Sequence, residues 1–212
     1  MWPPGAIEFL TELEANNDRD WFRANRDRYD AYLLEPTRRL AHRLNGFGEP
    51  HFFRPWTNTR FRPGPPLKEH IAMTVGPGPA VYYIQLSLDG LLVGAGLHHP
   101  ASDQLDRFRA AVDDGRKAAV LERAIHCANA VGLELIEPGL KRAPKGYPPD
   151  HPRIERLRMK QLTLFDRHEL GRWLHTAACD KRVRTQFDAA KPYVTWINKH
   201  VGPSPSSLVE RG

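Results

Sequence analysis

Two apolar segments meet at Asp89-Gly90, and no other local feature restricts the fold of this chain as strongly. Val81-Tyr82-Tyr83-Ile84-Gln85-Leu86-Ser87-Leu88 precedes the pair, and Leu91-Leu92-Val93-Gly94-Ala95-Gly96-Leu97 follows it. Aspartate-glycine between alternating segments predicts a two-residue hairpin, because a turn that tight needs residues tolerant of positive φ. A tight turn also sets a register. Leu88 then faces Leu91, Leu86 faces Val93, Ile84 faces Ala95 and Tyr82 faces Leu97, which makes one face wholly apolar. On the other face Gln85 meets Gly94 and Tyr83 meets Gly96, with His98 near the end, leaving a shallow trough. Strand glycines admit either a ligand or another closely approaching backbone, and packing is the commoner cause.

Upstream, Phe52 to Val75 reads as two more strands joined by Arg62-Pro63-Gly64-Pro65-Pro66, with Asn58-Thr59-Arg60-Phe61 near one end and Lys68-Glu69-His70 near the other. Alternation points Asn58 and Arg60 to one face and Thr57, Thr59 and Phe61 to the other. An arginine carried into a sheet must find a carboxylate, carbonyls or a ligand, since an unpaired buried charge is too costly to keep. This stretch is therefore the centre of the expected site.

Helical spacing accounts for most of the remainder. Ile7, Phe9, Leu10 and Leu13 predict a first helix stopped at Asn16-Asn17, where asparagine tolerates the left-handed conformation. Asp18 or Asp20 caps a second helix with an aromatic stripe of Trp21, Phe22, Tyr29 and Tyr32, which reads as core, and Pro36 kinks or restarts it. Further helices are expected from Ala101 to Asp114 with Gly115 as stop, and from Arg116 to Val131 ending at Gly132. Another is expected after the Asp166/Glu169 capping-box pattern, and a last one is capped by Asp180 and bent at Pro192. Leu133 to Ile136 adds a strand, and Lys160 to Phe165 is a strand or a turn.

The fold class is thus α+β: one mixed domain over residues 1–201, with a mainly antiparallel sheet around the Asp-Gly hairpin, covered by N-terminal and C-terminal helices. A flexible tail is expected over 202–212. At 212 residues one well-buried core is the expectation. No apolar run is long enough to span a bilayer, and Met1-Trp2-Pro3-Pro4 lacks the basic and apolar regions of a signal peptide. Cys127 and Cys179 are isolated, so neither disulfide nor zinc is indicated and a reducing cytoplasm fits best. His98-His99 has no partner at ligand spacing, and no metal or cofactor is expected. The net charge of +6 is spread singly along helices beside acidic residues, which disfavours nucleic acid as the partner.

A second concentration of cations lies in Leu140-Lys141-Arg142-Ala143-Pro144-Lys145-Gly146-Tyr147-Pro148-Pro149-Asp150-His151-Pro152. Such a stiff loop ending at a helix start suits an anion, or is a solvated surface loop. The leading functional reading is a small-molecule enzyme or binding protein in which the Arg60 strand and the Lys141 loop share one pocket. Asn58, Arg60, Lys68, Lys141, Arg142, Lys145 and Tyr147 would bind a phosphate- or carboxylate-bearing ligand there. His70 and His151 are the proton-transfer candidates, because imidazole titrates near neutrality. The alternatives are a non-catalytic interaction module and, behind it, a nucleic-acid binder.

Several motifs recur together in order: Leu10 through Asn16-Asn17, Trp21-Phe22, Thr59-Arg60-Phe61, Lys68, Gly94-Ala95-Gly96-Leu97, Pro100, Lys141 to Tyr147, and His151-Pro152. From about Ile7 to Ile197 the chain resembles the uncharacterised bacterial and fungal family called domain of unknown function 2461. That resemblance implies a single mixed α/β domain and carries no reaction with it. Asn58 stands where family members usually have aspartate, Leu67 where they have tyrosine, and the usual lysine-rich turn is here Arg62 to Pro66. An amide neither titrates nor carries charge, so any base or ligand role of that aspartate is lost, as in a specialised relative with a modified pocket.

Overall fold

The structure is a computed structural model that describes residues 1–57, 64–136 and 139–205. Its fold is α+β, as the sequence indicates, with a six-stranded antiparallel sheet in the order β1-β2-β3-β4-β6-β5. The strands are β1 (Pro50–Phe52), β2 (His70–Val75), β3 (Val81–Ser87), β4 (Gly90–Leu97), β5 (Glu134–Leu135) and β6 (Leu162–His168). The longer helices are α1 (Gly5–Ala15), α4 (Glu35–Arg43), α5 (Ser102–Asp113), α6 (Gly115–Asn129) and α8 (Ala177–His200), with short α2 (Arg19–Ala24), α3 (Arg26–Tyr29) and α7 (Ile154–Leu157). By backbone contacts the chain divides into two compact units. The first comprises Met1–Val75, Tyr83–Val93 and Arg167–Arg184; the second comprises Gly76–Tyr82, Gly94–Asp166 and Thr185–Gly212.

The central hairpin forms, with its corner on Leu88 and Asp89 and with Gly90 opening β4 at φ 120°. A two-residue Asp-Gly loop would need positive φ at Asp89, and no described residue other than glycine adopts it. Moving the corner by one residue slides every pairing by two, and a slide of two keeps each side chain on its face. Tyr82, Ile84, Leu86, Leu91, Val93 and Ala95 are accordingly all buried. The glycine trough is closed by packing. A Cβ on Gly94 would stand 2.5 Å from the Phe165 ring, and one on Gly96, at φ 128°, would collide with the Leu162 carbonyl. These contacts lay β6 antiparallel along β4.

In the first unit β1 and β2 pair with Pro50 opposite Val75 and Phe52 opposite Met73. The pairing continues irregularly through a Trp56–Leu67 bridge, with Thr57 N–H donating to the Pro66 carbonyl (2.8 Å) and Lys68 N–H to the Pro55 carbonyl (2.7 Å). The second expected strand is present as β2, whereas the first overlaps β1 only at Phe52 and its Asn58 to Phe61 part, with Arg62 and Pro63 of the link, lies outside the described residues. Asp18 caps α2 through its Oδ1, which accepts from Asp20 and Trp21 N–H. The Trp21 stripe packs as core in part: Phe22 and Tyr29 are buried, as is the neighbouring Leu33, while Trp21 and Tyr32 are half-buried and Phe9 meets the Trp21 ring at 5.6 Å. Chain restart at Pro36 takes the form of a π turn over Asp30–Leu34, which accommodates the missing proline N–H before α4 begins.

In the second unit Phe108, Leu121, Ile125, Leu164 and Phe187 are among the buried side chains. Gly115 does not stop α5; it opens α6, because Asp114 turns the chain and accepts from Arg116 and Lys117 N–H. Asp166 caps no helix but lies in β6, and only a short 3-10 turn over Arg172–His175 follows in the first unit. Glycine and aspartate suit either end of a helix, so composition alone did not fix the side. The expected tail is held at its start. Gln104 Nε2 donates to the Gly202 carbonyl (2.7 Å), Arg107 Nη2 to the Pro203 carbonyl (2.8 Å), and the buried Ser204 hydroxyl to Asp103 (2.6 Å). Residues 206–212 lie outside the described residues.

Candidate functional site

A cleft of about 320 Å³ opens in the first unit, where the segment leading into β2 passes the hairpin corner. It is lined by Thr57 and by Lys68, Glu69 and His70 on one side, and by Gln85, Ser87 and Asp89 on the other, with Glu14 of α1 at its rim. His70 opens β2, and Gln85 and Ser87 alternate on the β3 face opposite the core residues Ile84 and Leu86. Polar side chains project there because alternation reserves the other face for the apolar set.

The Lys68 segment is held by an asparagine. Asn17 Oδ1 accepts the Leu67 N–H (3.0 Å) while its Nδ2 donates to the Leu67 carbonyl (3.1 Å) and to Glu69 Oε1 (2.7 Å). One side chain thereby completes both backbone groups of Leu67 as a neighbouring strand would. It also fixes the Glu69 carboxylate through Oε1. Asp89 likewise has its own partner, Arg167, at 3.6 Å.

Lys68 is left without a carboxylate among the described residues. Its Nζ sits 5.6 Å from the centre of the Phe53 ring, and Phe53 in turn meets Tyr83 edge-on at 6.2 Å. Burial pushes the Lys68 ammonium below the ordinary lysine range. Burial, then the Lys68 charge, pushes the His70 imidazole down, with Glu69 pulling the other way. Tyr83 donates to Gln85 Oε1 at 2.6 Å. The Ser87 hydroxyl is buried and has no partner among the described residues.

The cleft thus holds two of the residues singled out in the sequence, Lys68 and His70. Asn58 and Arg60, the intended centre of the site, lie outside the described residues. Lys141, Arg142, Lys145 and Tyr147 belong to the second unit, where the three cations are exposed and unpaired among the described residues. His151 has both ring nitrogens engaged. Its Nδ1 accepts the Arg153 N–H (3.1 Å), which leaves the proton on Nε2, 3.0 Å from Asp113 Oδ1. Tyr147 packs edge-on against that ring at 6.1 Å. The Arg153 side chain donates to the Val112 and Asp113 carbonyls, both at 2.6 Å, so His151 and Arg153 together clasp the end of α5.

Gln85, Ser87 and Asn17 were not singled out in the sequence as site residues. Alternation placed Gln85 and Ser87 on the polar face, but nothing local tied that face to the Lys68 segment. Among the described residues no group of three or more His, Cys, Asp or Glu could hold a metal ion, and no helix is long and apolar enough to cross a membrane.

An antiparallel sheet with one apolar face, carrying on its other face a polar cleft lined by an amine, an imidazole and a buried hydroxyl, defines a mixed α+β protein with a cleft of about 320 Å³. The chain belongs to the family described as conserved hypothetical protein (DUF2461), whose sequence model matches residues 5–196. No curated protein and no solved structure matches it.

Proposed function

We propose that this protein binds a small molecule bearing a phosphate or carboxylate in the Lys68–His70 cleft, as a binding protein or as an enzyme using His70 for proton transfer. The observation that carries the reading is Lys68, a partly desolvated ammonium with no acidic partner among the described residues, near Glu69, which accepts from Asn17, and Asp89, which pairs with Arg167. An unpaired charge kept in such a place costs stability, and an anionic ligand repays it. The lowered pKa of His70 keeps its imidazole neutral at pH 7, the form that accepts a proton.

Lys68→Met separates this reading from a structural role. Its expected result is an unchanged or higher Tm without ligand, together with loss of the saturable stabilisation that a panel of phosphate and carboxylate metabolites gives the wild type at fixed ionic strength. A lower Tm in Lys68→Met, with no ligand response in the wild type that depends on Lys68, would mark the lysine as part of the framework of a non-catalytic interaction module.

A further inference from the structure

A second cleft in the first unit, of about 380 Å³, has a different composition. It is lined by His42, Arg43 and Asn45 at the end of α4 and just beyond, by Asp180, Lys181 and Arg184 in the first two turns of α8, and by Leu40 and Leu44. Three obligate cations face one carboxylate.

Two of the cations are already held in place. Arg43 meets Asp180 in a forked pair, Nε to Oδ2 at 2.6 Å and Nη2 to Oδ1 at 3.0 Å, which leaves its Nη1 edge without a partner among the described residues. Arg184 donates from Nη2 to the Arg43 backbone carbonyl and lies over the Phe47 ring at 5.8 Å. Lys181 and His42 are exposed and make no hydrogen bond or ion pair among the described residues. Leu40 and Leu44 are buried, so part of the lining is apolar and screens the charges less than water would.

The geometry points to this α4–α8 cleft as a binding site for a compact multivalent oxyanion, a phosphate ester or a di- or tricarboxylate, separate from the Lys68 cleft. Asp180 neutralises one of the three positive charges and, in doing so, fixes the Arg43 guanidinium. Much of the ordering cost of a two-arginine site is thereby met before any ligand arrives. Lys181 and His42 supply further donors from the rim. The volume lies at the small end of ligand clefts and matches a compact anion rather than a polymer.

Calorimetric titration of the full chain with pyrophosphate and with citrate, at ionic strength held constant with sodium chloride, tests the site. Saturable one-to-one binding of at least one probe is expected, and the tighter probe tells a phosphate site from a carboxylate site. Lys181→Gln, an exposed position, should weaken that binding by about tenfold, the value of one charge-assisted contact. Arg184→Gln should do the same in protein whose thermal unfolding shows it folded. Lys68→Met should leave the affinity unchanged, which keeps this site distinct from the Lys68 cleft. Wild-type affinity in both Lys181→Gln and Arg184→Gln, heats that vanish at matched ionic strength, loss of binding in Lys68→Met, or tighter binding of a short DNA duplex than of either probe would each overturn the assignment.

Discussion

At the scale of residues, the described framework depends on polar side chains that complete broken backbone pairing. Asn17 does so for Leu67, fifty positions away. Asn198 of α8 does the same in the second unit, with Oδ1 accepting the Ala80 N–H (2.9 Å) and Nδ2 donating to the Ala80 carbonyl (3.0 Å). Asn17→Ala and Asn198→Ala should each cost about 1–3 kcal/mol in urea denaturation, the cost of leaving partly buried backbone groups unpaired. Asn17 was legible only as part of a helix stop, and even that by another mechanism: Asn16 ends α1 at φ −130°, outside the left-handed region. Asn198 carried no local signal at all. His70 yields a prediction with a definite sign. Its folded pKa is below the ordinary 6.5, so the folded state binds the proton less readily than the unfolded chain. Stability should therefore fall as pH drops through about 6.5 and level off below the folded value. His98 and His200 are lowered by burial as well and add to the same slope. His70→Gln should make the Tm-versus-pH curve shallower without flattening it.

At the scale of elements, β4 was the most legible part of the chain, and its glycines show where that legibility stops. Alternation gave the correct apolar face although the corner sits one residue early, because face depends on parity and survives a slide of two. The occupant of the glycine trough had to come from elsewhere in the chain, and it is β6, a segment that its own sequence admits as strand or turn. Gly94→Ala should be destabilising by about 1–3 kcal/mol, since the Phe165 ring must move to admit a methyl group. Gly96→Ala should be worse: its Cβ would meet the Leu162 carbonyl, and its φ of 128° is one that alanine rarely adopts. Soluble yield and Tm of the two variants should rank in that order. The role of Gly115 at the junction of α5 and α6 has a similar origin. Asp114-Gly115 can close one helix or open the next, and Asp114 opens α6 because its carboxylate finds two N–H groups there.

At the scale of the whole molecule, the two cysteines offer a readout of global opening. Cys127 is exposed, while Cys179 is buried, with its thiol pushed up to about 11 by burial. In native protein at pH 8 one thiol per chain should react promptly with a disulfide reagent, and the second only at the rate of unfolding, so both titrate at once in denaturant. Prompt reaction of two thiols would place Cys179 in a segment that opens locally. What the amino-acid sequence determined by itself was whatever depends on near neighbours: helical periods, the Asp18 cap, the existence of the hairpin, and which strand face is apolar. Tertiary structure decided the polar partnerships, such as Arg43 with Asp180 across 137 positions. It likewise decided that the Lys68 ammonium has no acidic partner among the described residues while His151 has both nitrogens engaged. The physical reason is that hydrophobic periodicity repeats within a few residues and can be read locally. The partner of a charge or an amide is selected only when burial forces each polar group to be satisfied by whatever the fold has brought beside it.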